Sequence, residues 1–245
     1  MSAIRVTVWN ENLHDRTDPR VKEIYPTGLH GCIREFLSKD PELEVRTATL
    51  DMPECGLPDA LLEQTDVLIW WGHMAHEQVP DELAAKIVNR VQNGMGLIAL
   101  HSAHASKPFR LLMGTHSEEM TWRESNDRCL VWVTEPNHPI ARGLGRYIEL
   151  DAEEMYGEPL IFPRPDELLF ISWFEQGEVM RSGMVYRRGN GKIFYFQPGH
   201  ETYPAYHNPD IQRVIRQAVH YVYSGIQPRE TIPCPAPAVP RKANS

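Results

Sequence analysis

The chain of 245 residues has only four cysteines, Cys32, Cys55, Cys129 and Cys234. They lie far apart without a C-x-x-C pair, which excludes a disulfide scaffold and predicts reduced thiols. Basic charge is also short. With 25 Lys and Arg against 33 Asp and Glu the net charge is -8, and no basic stripe of the kind that follows a phosphate backbone is present, so nucleic acid is not an expected partner. No apolar run approaches a membrane span, and Met1 to Trp9 lacks the charged and apolar regions of a secretory signal. A cytoplasmic location without membrane attachment is therefore expected. No G-x-G-x-x-G follows the first apolar segment, so a nicotinamide cofactor is not expected. Internal repeats are missing too. At 42% hydrophobic the chain can bury one substantial core, and the simplest division is one domain over residues 1–225 with a Pro-rich tail over 226–245.

What is present alternates. Ile4 to Trp9 is β-branched and predicts a central strand, and a long polar loop is expected after it. Leu29, Ile33, Phe36 and Leu37 recur at helical spacing within residues 28–38, ahead of a second strand at Val45 to Leu50. Asp66 to Trp71 and Leu97 to Leu100 are short continuous apolar runs, as doubly covered parallel strands show. Pro80 to Asn93 between them has Leu83, Ile87 and Val91 on one helical face, and a further helix is expected over Ala105 to Met113. This alternation predicts a mostly parallel α/β sheet with helices on both faces. From Arg128 to Phe196 the pattern changes to antiparallel additions, notably Leu168 to Phe174, Val179 to Arg187 and Ile193 to Phe196, with a hairpin turn at Gly189-Asn190-Gly191. Asp210 to Ser224 closes the domain as a helix.

In open parallel sheets ligands bind outside the carboxyl ends of the strands. Here those ends are rich in histidine. Asn10, Glu11 and His14 follow the first strand; His73 and His76 the third; His101 and His104 the fourth; His200 and Glu201 the last. Imidazole is the commonest metal ligand and the side chain that titrates nearest neutral pH, and either use needs several such groups together. Any one of them is equally well read as a cap or a backbone hydrogen-bond donor. His116, His138, His207 and His220 lack the strand-end placement and are read as structural. His30, beside Gly28, is a candidate pocket residue. Trp70, Trp71, Trp122, Tyr156 and Tyr203 are candidate flat faces for a sugar ring, with a core role as the plainer reading. Among Glu153, Glu154 and Glu158, one carboxylate is expected to reach the pocket.

Asn10-Glu11-Asn12, Tyr25-Pro26-Thr27-Gly28-Leu29-His30, Trp70 to His76, Gly94 to Ser102, Glu153 to Glu158 and Phe196 to Pro204 together resemble the ThuA-like, trehalose-utilisation family, in order along nearly the whole chain. The resemblance implies a flavodoxin-like sheet similar to class I glutamine amidotransferases and a role in disaccharide catabolism alongside sugar dehydrogenases. Amidotransferases carry a cysteine on the turn that Ala99 to Ala103 resembles. Here His101 stands at that position, so glutamine hydrolysis by a thiol is not expected.

Three functions follow. A metal-dependent enzyme would hold zinc or another divalent ion on His73, His101 and His200, one choice among the six histidines 30, 73, 76, 101, 104 and 200, with Glu201 as orienter or base. An acid–base hydrolase, lyase or isomerase would use His101, His200 and Glu201 directly on a keto-sugar. A non-catalytic sugar-binding or accessory protein would work with a dehydrogenase. Asn10, Glu11, His30, Trp71, His104, Glu154 and Tyr203 are the expected substrate contacts, and a homo-oligomer is the expected assembly.

Overall fold

In a computed structural model, which describes residues 3–116 and 120–226, the strands are β1 (Ile4–Asn10), β2 (Leu43–Thr49), β3 (Val67–Trp71), β4 (Gly96–Leu100), β5 (Thr121–Val133), β6 (Tyr147–Gly157), β7 (Glu167–Phe174), β8 (Val179–Arg188) and β9 (Gly191–Phe196). They form one sheet in the order β2-β1-β3-β4-β9-β8-β7-β5-β6. The first five of that order are mutually parallel. From β9 outward every pairing is antiparallel. The sheet is therefore divided evenly between the two kinds, and the antiparallel additions are larger than the strand signals predicted.

The parallel half owes its position to its composition. Every residue of β3 and β4 is buried, and each buried Val, Leu or Ile contributes roughly 1.5–3 kcal/mol over an exposed one. Trp9 stacks on Trp70 with ring centroids 3.7 Å apart. Helices cover both faces. α3 (Gly28–Leu37) and α7 (Pro209–Val222) pack together, as do α5 (Asp81–Gln92) and α6 (Lys107–Met113). Right-handed crossovers put these pairs on opposite faces, because the chain moves one way from β1 to β2 and the other from β3 to β4. α7 begins where Asn208 accepts the backbone N–H groups of Asp210 and Ile211, with Pro209 in the first turn, and it buries Ile211, Val214, Ile215, Ala218, Val219 and Val222.

The helices depart from expectation in three places. The loop after β1 contains α1 (His14–Thr17) and α2 (Pro19–Ile24), both too short for apolar periodicity to register. A further short helix, α4 (Asp59–Glu63), precedes β3. The helix expected from Ala105 begins at Lys107, since residues 101–105 form a 3-10 turn and Ser106 caps the helix by accepting Phe109 N–H. Of the expected Pro-rich tail, residues 227–245 lie outside the described residues.

The largest departure is β5, which starts at Thr121, well before Arg128. Only Cys129 to Val133 of it pair with β7, whereas its first half pairs with β6 alone, Trp122 opposite Tyr156 and Asp127 opposite Glu153. The result is a two-stranded arm. Arg123 fastens it through Asp127 at 2.7 Å and Glu178 at 2.7 Å. The arm folds back over the carboxyl ends of the parallel strands, where Gln197 Nε2 donates to the Glu154 carbonyl (3.0 Å) and Gly199 N–H to the Glu153 carboxylate (2.8 Å). No helix among the described residues is long and apolar enough to cross a membrane.

Candidate functional site

Each parallel strand end presents its histidine through a distinct local device. After β3, the buried carboxylate of Glu11 accepts the backbone N–H groups of His73 (2.8 Å), Met74 (2.9 Å) and Ala75 (2.8 Å). Glu11 thereby builds the turn that carries His73. After β4, His101 adopts φ +53°, a left-handed conformation that costs a β-carbon residue about 1–3 kcal/mol. Bonds at both ring nitrogens offset that cost: Nδ1 reaches the Gln197 carbonyl at 2.8 Å and Nε2 the Glu154 carboxylate at 2.9 Å. Both partners accept, so the imidazolium is the form that fits. Burial pulls the His101 pKa down, but the hydrogen bond and charge of Glu154, with the charge of Glu153, outweigh it and raise the pKa. After β9, Gly199 has φ +131° and a β-carbon there would lie 2.1 Å from the Tyr206 hydroxyl, so only glycine allows the turn that delivers His200 and Glu201.

The arm supplies the carboxylates. Glu153, fully buried, accepts the backbone N–H groups of Gly199, His200 and Glu154, and burial pushes its pKa up to about 7 against the pull of those bonds. Burial would raise Glu154 as well, but its bond to His101 and the nearby imidazoles hold it below its ordinary value. Glu154 is thus a carboxylate facing the strand ends.

Two histidines are held with one nitrogen turned inward. Glu201 Oε1 accepts from His14 Nδ1 and, at 2.8 Å, from His73 Nδ1, which leaves His73 Nε2 as a lone pair. Those two bonds and the neighbouring imidazoles overcome burial and keep Glu201 well below the usual carboxylate range. His200 Nδ1 lies 2.8 Å from Thr202 Oγ1, whose proton goes to Glu124 Oε1 at 2.8 Å. That chain favours a proton on Nδ1 and a lone pair on Nε2, although Thr202 N–H also approaches Nδ1 at 3.3 Å. Burial and the charge of His101 lower the His200 pKa to about 4, so the ring is neutral at pH 7.

Donor atoms of His73, Glu154 and His200 lie within 4.8 Å of one another, and so do those of His14, His73 and Glu201. A third group, Asp40, Glu42 and His220, sits at the amino end of the sheet, away from these strand ends. The rings of His73, His101 and His200 lie 5.0–6.1 Å apart. His101 joins the gathering without offering a nitrogen, because both are engaged. The three donors that come together are therefore His73, Glu154 and His200, with the His101 ring held against Gln197 and Glu154 beside them.

A cavity of about 390 Å³ opens over this cluster, lined by His73, His104, Glu154, Tyr156, His200 and other residues. Of the expected substrate contacts only His104 and Glu154 line it. Burial lowers the His104 pKa to about 3, and its Nδ1 faces the His101 carbonyl. Asn10 is buried and bonded to His30 Nδ1 at 3.0 Å. The space at Gly28 is filled from within the chain, since a β-carbon there would meet His30 Cε1 at 2.6 Å. Trp71 is buried with its indole N–H on the Gly199 carbonyl at 3.0 Å, and Tyr203 takes Asn126 N–H. Glu201 and His101 stand behind the lining residues. Glu124 and Thr202 escaped the sequence reading, and of the carboxylates offered by residues 153–158 it is Glu154 that lines the cavity.

A covered parallel sheet with an antiparallel arm folded over its carboxyl ends, and a buried histidine–carboxylate cluster between them, defines an α/β protein with a polar site at its strand ends. The ThuA model, described as trehalose utilisation, matches residues 5–222. The chain belongs to the ThuA family. Its fold is similar to a ThuA-like protein from Parabacteroides merdae (TM-score 0.69, 15% identity, 95% of this chain and 94% of that one). It is also similar to a ThuA-like protein from Bacteroides uniformis (0.64, 15%, 92% and 94%) and to a cytoplasmic protein from Salmonella typhimurium (0.59, 10%, 90% and 100%). At these identities the likeness is one of fold. A search of the curated proteins finds no match.

Proposed function

We propose that the chain is a cytoplasmic sugar-utilisation enzyme that acts on a disaccharide or keto-sugar at a divalent metal site formed by His73, Glu154 and His200. The observation that carries this reading is the convergence of those three donors, from three separate segments, within 4.8 Å at the base of the cavity. Two imidazoles and a carboxylate are a donor set that suits zinc or another first-row ion and leaves positions open. The fit extends outward. His73 and His200 each have their other nitrogen held by an orienting partner, as metal-bound histidines do. The buried Oε2 of Glu201 has no hydrogen-bond partner and lies 3.5 Å from His200 Nε2, a placement that a cation would satisfy. The order of the five parallel strands supports the flavodoxin-like, amidotransferase-related reading of the fold.

A bound ion would polarise a sugar oxygen or lower the pKa of water. The chain's own residues do the rest. Glu201 orients His73, the Thr202–Glu124 pair orients His200, and His101 balances the Glu154 charge while Tyr156, 3.2 Å from His101 Nε2, offers a hydroxyl at the cavity wall. That last contact favours a second reading, ion-free acid–base chemistry with His101 and Tyr156 as the proton path. Elemental analysis of protein purified without chelators, followed by conversion of trehalose and its keto derivative with and without chelator, separates the two. About one ion per chain and chelator-sensitive turnover support the metal reading, and turnover in ion-free protein replaces it with the second.

A further inference from the structure

We propose that Trp122 and Glu124 form a second-sugar subsite at the cavity mouth, so that the chain recognises a disaccharide in preference to a single hexose; the inference rests on the sugar-directed reading above. Among the described residues the two most exposed large apolar side chains are Trp122 (66%) and Met74 (63%). Both line this one cavity. An exposed indole forgoes the stabilisation of burial, and its placement at a cavity rim points to a ligand.

Strand geometry sets the rest of the wall. Trp122 and Glu124 alternate along the start of β5 and line the cavity together with Met120 just before it, while Arg123 turns to Asp127 and Glu178 on the other side. Trp122 stands opposite Tyr156 on β6, and both line the cavity. Glu154, the proposed ligand, is two residues before Tyr156, about 6.6 Å along the strand. The indole thus stands roughly one sugar ring away from the reacting floor. A pyranose has apolar C–H faces and a rim of hydroxyls, and it is recognised by a flat π face beside a hydrogen-bond acceptor. Trp122 is that face. The Glu124 carboxylate is that acceptor, because Thr202 fills only one of its several acceptor sites.

The test is calorimetric titration of the whole protein with trehalose and with glucose, for wild type, Trp122→Ala and Trp122→Phe, with the metal content of each sample measured alongside. The wild type is expected to prefer trehalose, Trp122→Ala to lose about tenfold in trehalose affinity and less in glucose affinity, and Trp122→Phe to recover most of the loss. Equal binding of the two sugars, or trehalose affinity unchanged in Trp122→Ala, overturns the subsite while ion content leaves the metal reading standing. A wild type that holds no ion and binds neither sugar overturns both.

Discussion

The parallel half and the two-stranded arm contribute to the same site by different means. β3 and β4 are buried along their whole length and hold His73 and His101 at their ends. The first half of β5 is largely exposed, with Asp127 buried, and pairs on one side only. Yet it is the arm that brings Glu153, Glu154 and Trp122 to the histidines. The rigid half fixes where imidazoles converge, and the arm decides what charge and what apolar surface meet them. A site assembled this way can change its ligand preference through the arm without disturbing the core.

The two regions should respond unequally to truncation. Ile69→Ala, in the middle of β3 and fully buried, is expected to cost about 2–5 kcal/mol in urea unfolding. Trp122→Ala on the arm should stay within about 0.5 kcal/mol. An intermediate effect is expected at the seam. Glu153→Ala strips three buried backbone N–H groups of their acceptor, at about 1–3 kcal/mol for each group left unmet, offset in part by relief of the buried carboxylate's desolvation, and hydrogen exchange should quicken at residues 153–157 and 199–200 while β1 and β3 keep their protection.

A smaller effect is expected from pH, at the contact between the loop after β1 and the turn after β9. The bond from Glu201 raises the His14 pKa, and His14 with His73 lowers that of Glu201 against burial. A raised histidine contributes stability in full below its unfolded value, about 6.5, and loses it as pH rises through the folded value. A lowered glutamate contributes above about 4.3 and loses it as pH falls through its folded value. The stability difference between wild type and His14→Ala should therefore peak between about pH 4.3 and 6.5 and shrink towards pH 8. A difference that grows with pH would show that the pair is not ionised as described.

Much of the parallel half was legible because burial on both faces writes continuous apolar runs, as in Val67 to Trp71 and Leu97 to Leu100. The histidines were legible because each follows such a run. The arm was not. Thr121 to Arg128 is almost wholly polar, its alternation is broken by a bulge at Asn126 with φ +58°, and its pairing partner lies far along the chain. That one of Glu153, Glu154 and Glu158 reaches the pocket was expected, but nothing local reveals that a distant turn at Gly199 supplies the donors of Glu153. Whether a histidine keeps a free nitrogen depends on Glu201, Thr202, Gln197 and Glu154, which are tertiary contacts that spacing does not encode.

The proposed metal site draws on both regions, two imidazoles from the strand ends and Glu154 from the arm. Titration of metal-stripped protein with Co²⁺, followed by its visible absorption, tests it in wild type and Glu154→Gln. The account predicts saturation at about one ion per chain and at least tenfold weaker binding in the variant. Equal affinity in the two proteins, or no binding by the wild type, would contradict it.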